Sequence, residues 1–483
     1  MNEAPFFAIA FLGVGACLGA FWVYLIVKTR SEELWRCRQI AGRAGLTDVA
    51  QGRLWSLGGV MGRAGSLLVR LEGAVVPRAG ASDRRKREFG SGTLASVVLD
   101  SDLTLRRESA EPELRDVFGP AELQLGDERF DDAVYMRGSA ETLRAVLDVE
   151  TRGAVLEALG GGLRVAGTSH TLPADVSLRD GRLEARFPPL KASDAPDQLA
   201  GALKTLVALA RRLQRPADPV GRIATNTERE PEWRVRLENL RLLAHEHPRH
   251  PATREALKRC CQDERGEVQL VAALGLGGSE AKPVLLDIAT REWSGDREAA
   301  RAVAALGEEL PAERAQSILS HALRTRRHLT AKACLESLGR LGRPELIEPL
   351  EKVLAVDGGE LGVVAARALG SSRLPAAEAP LLEALGSASP DVRLAAAEAL
   401  GSAGTPGALL RLKELAAAPG VEPALRRAAR QAAAEIQARL PGASPGQLSL
   451  AEGDAGQLSL AGQDPTGRVS LVPPKRGPER AGG

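Results

Sequence analysis

Pro390-Asp-Val-Arg-Leu-Ala-Ala-Ala-Glu-Ala-Leu-Gly-Ser-Ala-Gly404, followed by Thr405-Pro-Gly-Ala-Leu-Leu-Arg-Leu-Lys-Glu-Leu415, decides the fold of the C-terminal half. Pro390 suits the first turn of a helix, where its missing N–H costs nothing. Val392, Leu394, Ala395, Ala399 and Leu400 spread apolar contacts over a wide face, and Ala396 and Ala397 keep the helix thin enough for close stacking. Gly404 predicts a left-handed exit, with the next helix starting near Pro406. The same grammar recurs in Leu338-Gly-Arg-Leu-Gly-Arg-Pro-Glu-Leu-Ile347 and in Ala368-Leu-Gly-Ser-Ser-Arg-Leu-Pro375. A ladder of Leu-Gly pairs sets the period: Leu276-Gly277, Leu306-Gly307, Leu338-Gly339, Leu369-Gly370 and Leu400-Gly401 follow one another at intervals of 30, 32, 31 and 31 residues. A fixed interval of this size predicts stacked copies of one two-helix unit. Residues 232–440 therefore read as an α-solenoid, with 233–243 and 426–440 as the helices that close its ends.

These residues resemble the HEAT-repeat family in its short bacterial form. The resemblance spans about 232–440, roughly six helix pairs, and departs in the second unit, where Glu308-Glu-Leu-Pro311 replaces the usual loop. It implies protein partners. Charge and composition narrow the partner class further. Residues 294–440 hold 19 Lys+Arg against 18 Asp+Glu and no Phe, Tyr or Trp. Such an array lacks the net basic charge and the rings that nucleic acid needs, which excludes nucleic acid as its ligand. Arginine is the one residue favoured in protein hot spots that remains. Arg297, Arg301, Arg327, Arg367 and Arg393 are thus the candidate protein-binding residues.

Upstream, Pro5 to Val27 is free of charge for 23 residues. A helix of that length is expected to cross a bilayer once, with Phe21, Trp22 and Tyr24 at the interface. Lys28, Arg30, Arg36, Arg38 and Arg43 follow, whereas Glu3 is the only charged side chain before it. The positive-inside bias predicts an N-terminus outside and residues 28–483 in the cytoplasm of a bacterial inner membrane. Gly15 and Gly19 form a small-residue pattern suited to pairing two such helices in a homodimer.

Residues 28–45 read as a juxtamembrane helix. From 46 to 214 the texture changes to short apolar or alternating runs at 67–71, 93–99, 103–105, 123–125 and 133–136, which suggest strands. The clearest hairpin is 176–187, where Asp180-Gly181 supplies a primed turn. Residues 139–159 read as helix with Ser139 as its N-cap, and 199–213 as a second amphipathic helix. An α+β domain follows. Gly126-Asp127-x-x-Phe130-Asp131, an apolar strand and Gly138 give it a resemblance to a domain found beside membrane helices in uncharacterised bacterial proteins, which carries no activity with it. The Arg84-Arg85-Lys86-Arg87 run is the candidate contact with an anionic membrane surface. Residues 215–231 are polar and Pro-rich and read as a linker.

The tail, 441–483, repeats Gly446-Gln-Leu-Ser-Leu450, Gly456-Gln-Leu-Ser-Leu460 and Gly467-Arg-Val-Ser-Leu471, and its composition predicts disorder. The five cysteines show no C-x-x-C spacing. His245, His247 and His250 lack a familiar zinc spacing. Asp127, Glu128, Asp131 and Asp132 form an acidic turn of a kind that seldom binds a cation. No catalytic motif stands out, and no cofactor or metal is expected. The expected molecule is an N-terminal single transmembrane helix, an α+β domain, a HEAT-like solenoid and a disordered tail, acting as a membrane-anchored scaffold. The alternative is an enzyme or ligand sensor with its pocket in 46–214, regulated by the repeats.

Overall fold

The computed structural model describes residues 24, 27, 28, 30–51, 59–77, 89–108, 122–190, 195–439, 448–450 and 458–460. Two compact units divide the chain between Leu276 and Gly277.

The first unit is built on an eight-stranded antiparallel sheet. Its strands are β1 (Thr47–Gln51), β2 (Gly59–Ala64), β3 (Leu67–Pro77), β4 (Phe89–Val98), β5 (Thr104–Arg107), β6 (Val134–Arg137), β9 (Asp175–Arg179) and β10 (Arg182–Phe187), in the order β1-β2-β3-β4-β10-β9-β5-β6. A short ribbon pairs β7 (Gly162–Arg164) with β8 (Thr171–Pro173). The strand expected at 123–125 is absent, although Leu123 N–H bonds to Met136 O beside β6. At the β9–β10 turn Asp180 and Gly181 both adopt positive φ, 48° and 73°, as a primed turn requires.

Alternation along the strands sends Val60, Val69, Leu71, Ala95, Val97, Leu178, Leu183 and Phe187 to one face. There they join Ile40 of α1 (30–44), Val155 of α4 (Val149–Leu159) and Leu203 and Leu206 of α5 (Ala195–Arg212) in one core. The helix expected over 139–159 is two helices, α3 (Ala140–Val146) and α4. Ser139 caps the first, while Asp148 interrupts the run and caps the second through Thr151 N–H at 2.8 Å.

Residues 215–231 are not a linker. Asp218 accepts from Gly221 N–H, Pro219 occupies the first turn, and α6 runs over Pro219–Arg229. Its Val220 and Ile223 share a core with Ala145 of α3 and with Leu237, Leu240 and Leu243 of α7 (Trp233–Glu246). The first unit continues through α8 (Pro251–Cys260) and α9 (Gly266–Leu276).

The second unit is a helical repeat in two layers. One layer holds α11 (Asp296–Leu306), α13 (His328–Leu341), α15 (Glu360–Ser372), α17 (Pro390–Ala403) and α19 (Pro423–Ala438). The other holds α10 (Gly278–Thr290), α12 (Ala312–Arg324), α14 (Ile347–Val356), α16 (Glu378–Ala384) and α18 (Ala408–Ala417). Two ladder glycines, Gly339 and Gly370, set the spacing of the first layer. A Cβ on Gly339 would fall 2.7 Å from the Ala368 Cα, and one on Gly370 would fall 2.7 Å from the Ala399 Cβ. Gly404 does not make the expected left-handed exit. Its backbone is extended (φ −67°, ψ 147°), and glycine is needed there because a side chain would strike the Leu400 carbonyl.

Repeats are also stitched by polar bonds. The Asp296 carboxylate accepts from Leu329 N–H (3.0 Å), Thr330 N–H (2.9 Å) and the Thr330 hydroxyl (2.7 Å), so α11 caps the start of α13. Partial burial pushes this carboxyl up, but the bonds from Thr330 and Leu329, with Arg327 nearby, outweigh it and hold the group below its ordinary value. A depressed folded pKa contributes stability above the unfolded value of about 3.9, and that contribution is lost as pH falls through the folded value. Asp296→Ala is therefore expected to cost about 1–2 kcal/mol at neutral pH. In urea melts the gap from the parent protein should shrink towards acid pH; a gap independent of pH would refute the assignment.

Two expectations are corrected here. No helix among the described residues is long and apolar enough to cross a membrane, so the single-pass inner-membrane assignment, with its orientation, does not stand. The 5–27 stretch that prompted it, with Gly15 and Gly19, lies outside the described residues apart from Tyr24 and Val27, as does the 84–87 basic run. The second correction concerns the tail, which is not wholly without structure. Leu448–Leu450 and Leu458–Leu460 pair antiparallel, Leu448 opposite Leu460, so two copies of the repeated motif bond to each other. The third copy, 467–471, lies outside the described residues.

Candidate protein-binding surfaces

The five arginines singled out from the sequence separate into two sets. Arg297 and Arg301 on α11 and Arg367 on α15 are exposed on the outward side of the first helix layer. They share it with Lys332, Glu336 and Arg340 of α13 and with Asp391 and Glu398 of α17. Lys332 bridges to Glu360 of the next repeat at 2.8 Å, and the pairing raises the ammonium pKa and lowers the carboxyl pKa.

Arg327, just before α13, and Arg393, in the first turn of α17, reach to loops instead. The Arg327 guanidinium donates to the carbonyls of Arg291 and Glu292, which close the turn after α10. Arg393 donates to the carbonyls of Ser387 (2.9 Å) and Ala388 (3.1 Å), just before α17. Their donors are engaged in holding inter-helix turns.

The opposite layer contains a surface the sequence did not announce. Between α12 and α14 lies a groove of about 1000 Å³. Leu319, Leu323, Pro349, Val353 and Val356 form its apolar floor and wall, with Val356 87 % exposed. Glu313, Glu345, Glu348 and Asp357 on the rim outnumber Arg343 and Lys352, and Glu348 pairs with Lys352 at 2.6 Å. An apolar floor inside a charged rim is the anatomy of a protein interface. The signal in the sequence was faint: Val356 ends α14 two positions past Leu354, the last of its residues that pack inward.

The acidic turn of the first unit has a structural role. Asp127 caps α2 (Glu128–Asp131) by accepting from Phe130 N–H at 3.2 Å, and its other oxygen accepts from Arg152 Nε at 2.8 Å. Asp131 accepts from Leu125 N–H and Gly126 N–H; burial raises its pKa against the lowering effect of those bonds. Arg152 also grips Glu230 with both terminal nitrogens, at 2.8 and 2.7 Å, with both side chains almost fully buried. Arg144 donates to the carbonyls of Leu125 and Gln124 and to Asn239 of α7. These bonds tie α2, α3 and α4 to α6 and α7.

Of the histidines, His250 caps α8 by accepting from Ala252 N–H, and His247 lies 3.9 Å from Glu141. Among the described residues no group of His, Cys, Asp and Glu converges as a metal site. Burial pushes the Cys260 and Cys334 thiols up to about 12 and Cys37 to about 11, which keeps them protonated at neutral pH. A cavity in the sheet unit, lined by Glu150, Glu157, Arg164, Thr205 and Arg212 among others, is about 150 Å³, below the usual size of a small-molecule site.

Residues 359–434, from α15 to within α19, match the HEAT repeats family. No curated protein matches the chain. The C-terminal array is thus a HEAT-repeat region. Repeats of this kind generally mediate protein–protein interaction, which supports an interaction-scaffold role with protein partners.

Proposed function

We propose that the chain is a scaffold that binds a protein partner in the groove between α12 and α14, and that it performs no chemistry of its own. The observation that carries this reading is the groove's composition: Leu323 and Val356 are large apolar side chains left in solvent beside an acidic rim. Large apolar side chains clustered in solvent mark interaction sites. Arg297, Arg301 and Arg367 on the other layer would engage a second partner or a second part of the same one.

In-cell crosslinking and mass spectrometry on the full chain test it. One recurring protein is expected to crosslink to Lys352 and its surroundings. Leu323→Glu with Val356→Glu should weaken that complex about thirtyfold, the ~2 kcal/mol of an interface hot spot. Both positions face solvent, so the melting temperature should hold. Crosslinks confined to residues before 277 would reject the proposal.

A further inference from the structure

The tail carries its charge unevenly. Residues 441–466 hold three acids (Glu452, Asp454 and Asp464) and no Lys or Arg. The next stretch, Gly467-Arg-Val-Ser-Leu-Val-Pro-Pro-Lys-Arg476, holds three cations and no acid. The repeated motif changes with the charge. Its first two copies, Gly-Gln-Leu-Ser-Leu, pair with each other at 448–450 and 458–460. The third copy has Arg468 in place of Gln and Val469 in place of Leu, and it runs on into Val472, Pro473, Pro474, Lys475 and Arg476. Segment 467–476 lies outside the described residues.

The groove between α12 and α14 presents the complementary chemistry. Leu323 and Val356 stand exposed in it, and once Glu348 is set against Lys352, its rim holds Glu313, Glu345 and Asp357 against Arg343. The chain also leaves the array on the fitting edge. The Arg439 guanidinium donates to the Gly401 carbonyl and, at 2.7 Å, to the Gly404 carbonyl, which holds the end of α19 beside the turn from α17 to α18. The turns from α11 to α12 and from α13 to α14 are its equivalents in earlier repeats. Glu313 and Glu345, at the starts of α12 and α14, therefore mark a mouth of the groove on the edge where the tail emerges. With neighbouring helices about 10 Å apart, that mouth is roughly 35 Å from the end of α19. The chain outside the hairpin, 440–447 and 461–466, reaches roughly 45 Å when extended.

We propose, resting on the reading of this groove as the partner site, that the chain's own segment 467–476 occupies it when no partner is bound, so that tail and partner compete for one surface. Arg468 would meet Glu313 and Glu345 at the mouth. Val469, Leu471 and Val472 would cover Leu323 and Val356, and Lys475 and Arg476 would meet Asp357 at the far end. The lengths agree. At 1.5 Å per residue, Glu345 and Asp357 are about 18 Å apart along α14. An extended backbone spans about 22 Å from Arg468 to Lys475. Pro473 and Pro474 favour such a backbone and lower the entropy lost when it docks. Arginine's fork suits the carboxylates at the mouth. The acidic stretch 441–466 would be repelled by the same rim, which selects the third copy over the first two.

Amine crosslinking with mass spectrometry on the purified full chain tests this, since Lys352 lines the groove and Lys475 lies in the segment. Lys413 of α18, next to α19, gives the comparison for a tail that stays near its exit. Links from Lys475 to Lys352 are expected to outnumber those to Lys413. Leu471→Asp with Arg476→Glu should reduce the Lys352 link about tenfold against the Lys413 link, and Leu323→Glu with Val356→Glu should do the same from the groove side. Mixing isotope-labelled with unlabelled chains separates the chain's own tail from that of a second copy. Links between labelled and unlabelled chains, links to Lys413 alone, or indifference to both pairs of substitutions would overturn the proposal. The scaffold reading is judged separately, by partner crosslinks to Lys352 in cells. Partner capture that rises about tenfold with Leu471→Asp plus Arg476→Glu supports the competition. Capture unchanged by that variant would sink the tail's role and keep the scaffold. No partner at Lys352 in cells, with the Lys352–Lys475 link intact, would reject the scaffold reading alone.

Discussion

Glu230→Ala should lower the stability of the first unit by about 3–5 kcal/mol, the largest effect expected from any single side chain described here. The carboxylate is fully enclosed and receives both terminal nitrogens of Arg152 and the Glu232 N–H. Removing it leaves the Arg152 guanidinium buried with Asp127 and the Leu147 carbonyl as its remaining partners. Most of the loss is the cost of that stranded charge and not the worth of the pair. Arg152→Met combined with Glu230→Leu should therefore recover much of it. Hydrogen exchange is the suitable measurement, read at 140–146 and 219–229, because it isolates this region from the second unit. If Glu230→Ala exchanged like the parent protein, or if the apolar double variant were no better than the single one, the network would not be holding these helices together.

Gly339→Ala should destabilise the repeat array by about 1–3 kcal/mol although alanine is the better helix former by roughly 1 kcal/mol. The new methyl would meet the Ala368 Cα and carbonyl at 2.7 Å, backbone atoms that cannot move aside. Gly153 in α4 provides the opposite case. It is exposed, and a Cβ there meets nothing within 4 Å, so Gly153→Ala should stabilise its helix by up to about 1 kcal/mol. Urea titrations of both variants should give shifts of opposite sign. Shifts of the same sign would mean that helix propensity, and not close packing, governs the ladder position.

The ladder was legible in the sequence because its glycines recur at one interval, Gly339 and Gly370 where a helix approaches its neighbour too closely for a side chain, Gly277 and Gly307 where the chain leaves a helix at positive φ. The β9–β10 hairpin was legible for a similar reason, since its turn needs residues tolerant of positive φ. What the sequence hid was long-range. Helix α6 was mistaken for a linker because Asp218-Pro219, which starts it, also looks like loop punctuation. The acidic turn could be neither assigned nor dismissed, because its partners, Arg152 and Arg234, lie up to 106 positions away.

The two layers of the second unit have unequal mechanical roles. Where ladder glycines let one helix rest on the backbone of the next, neighbouring repeats share a stiff hinge line. On the far side, the gap between α12 and α14 acts as the open end of a lever. Rotation about such a line would widen or narrow that gap without unpacking the close layer. A partner seated in the gap would therefore act as a wedge that fixes the angle between two repeats.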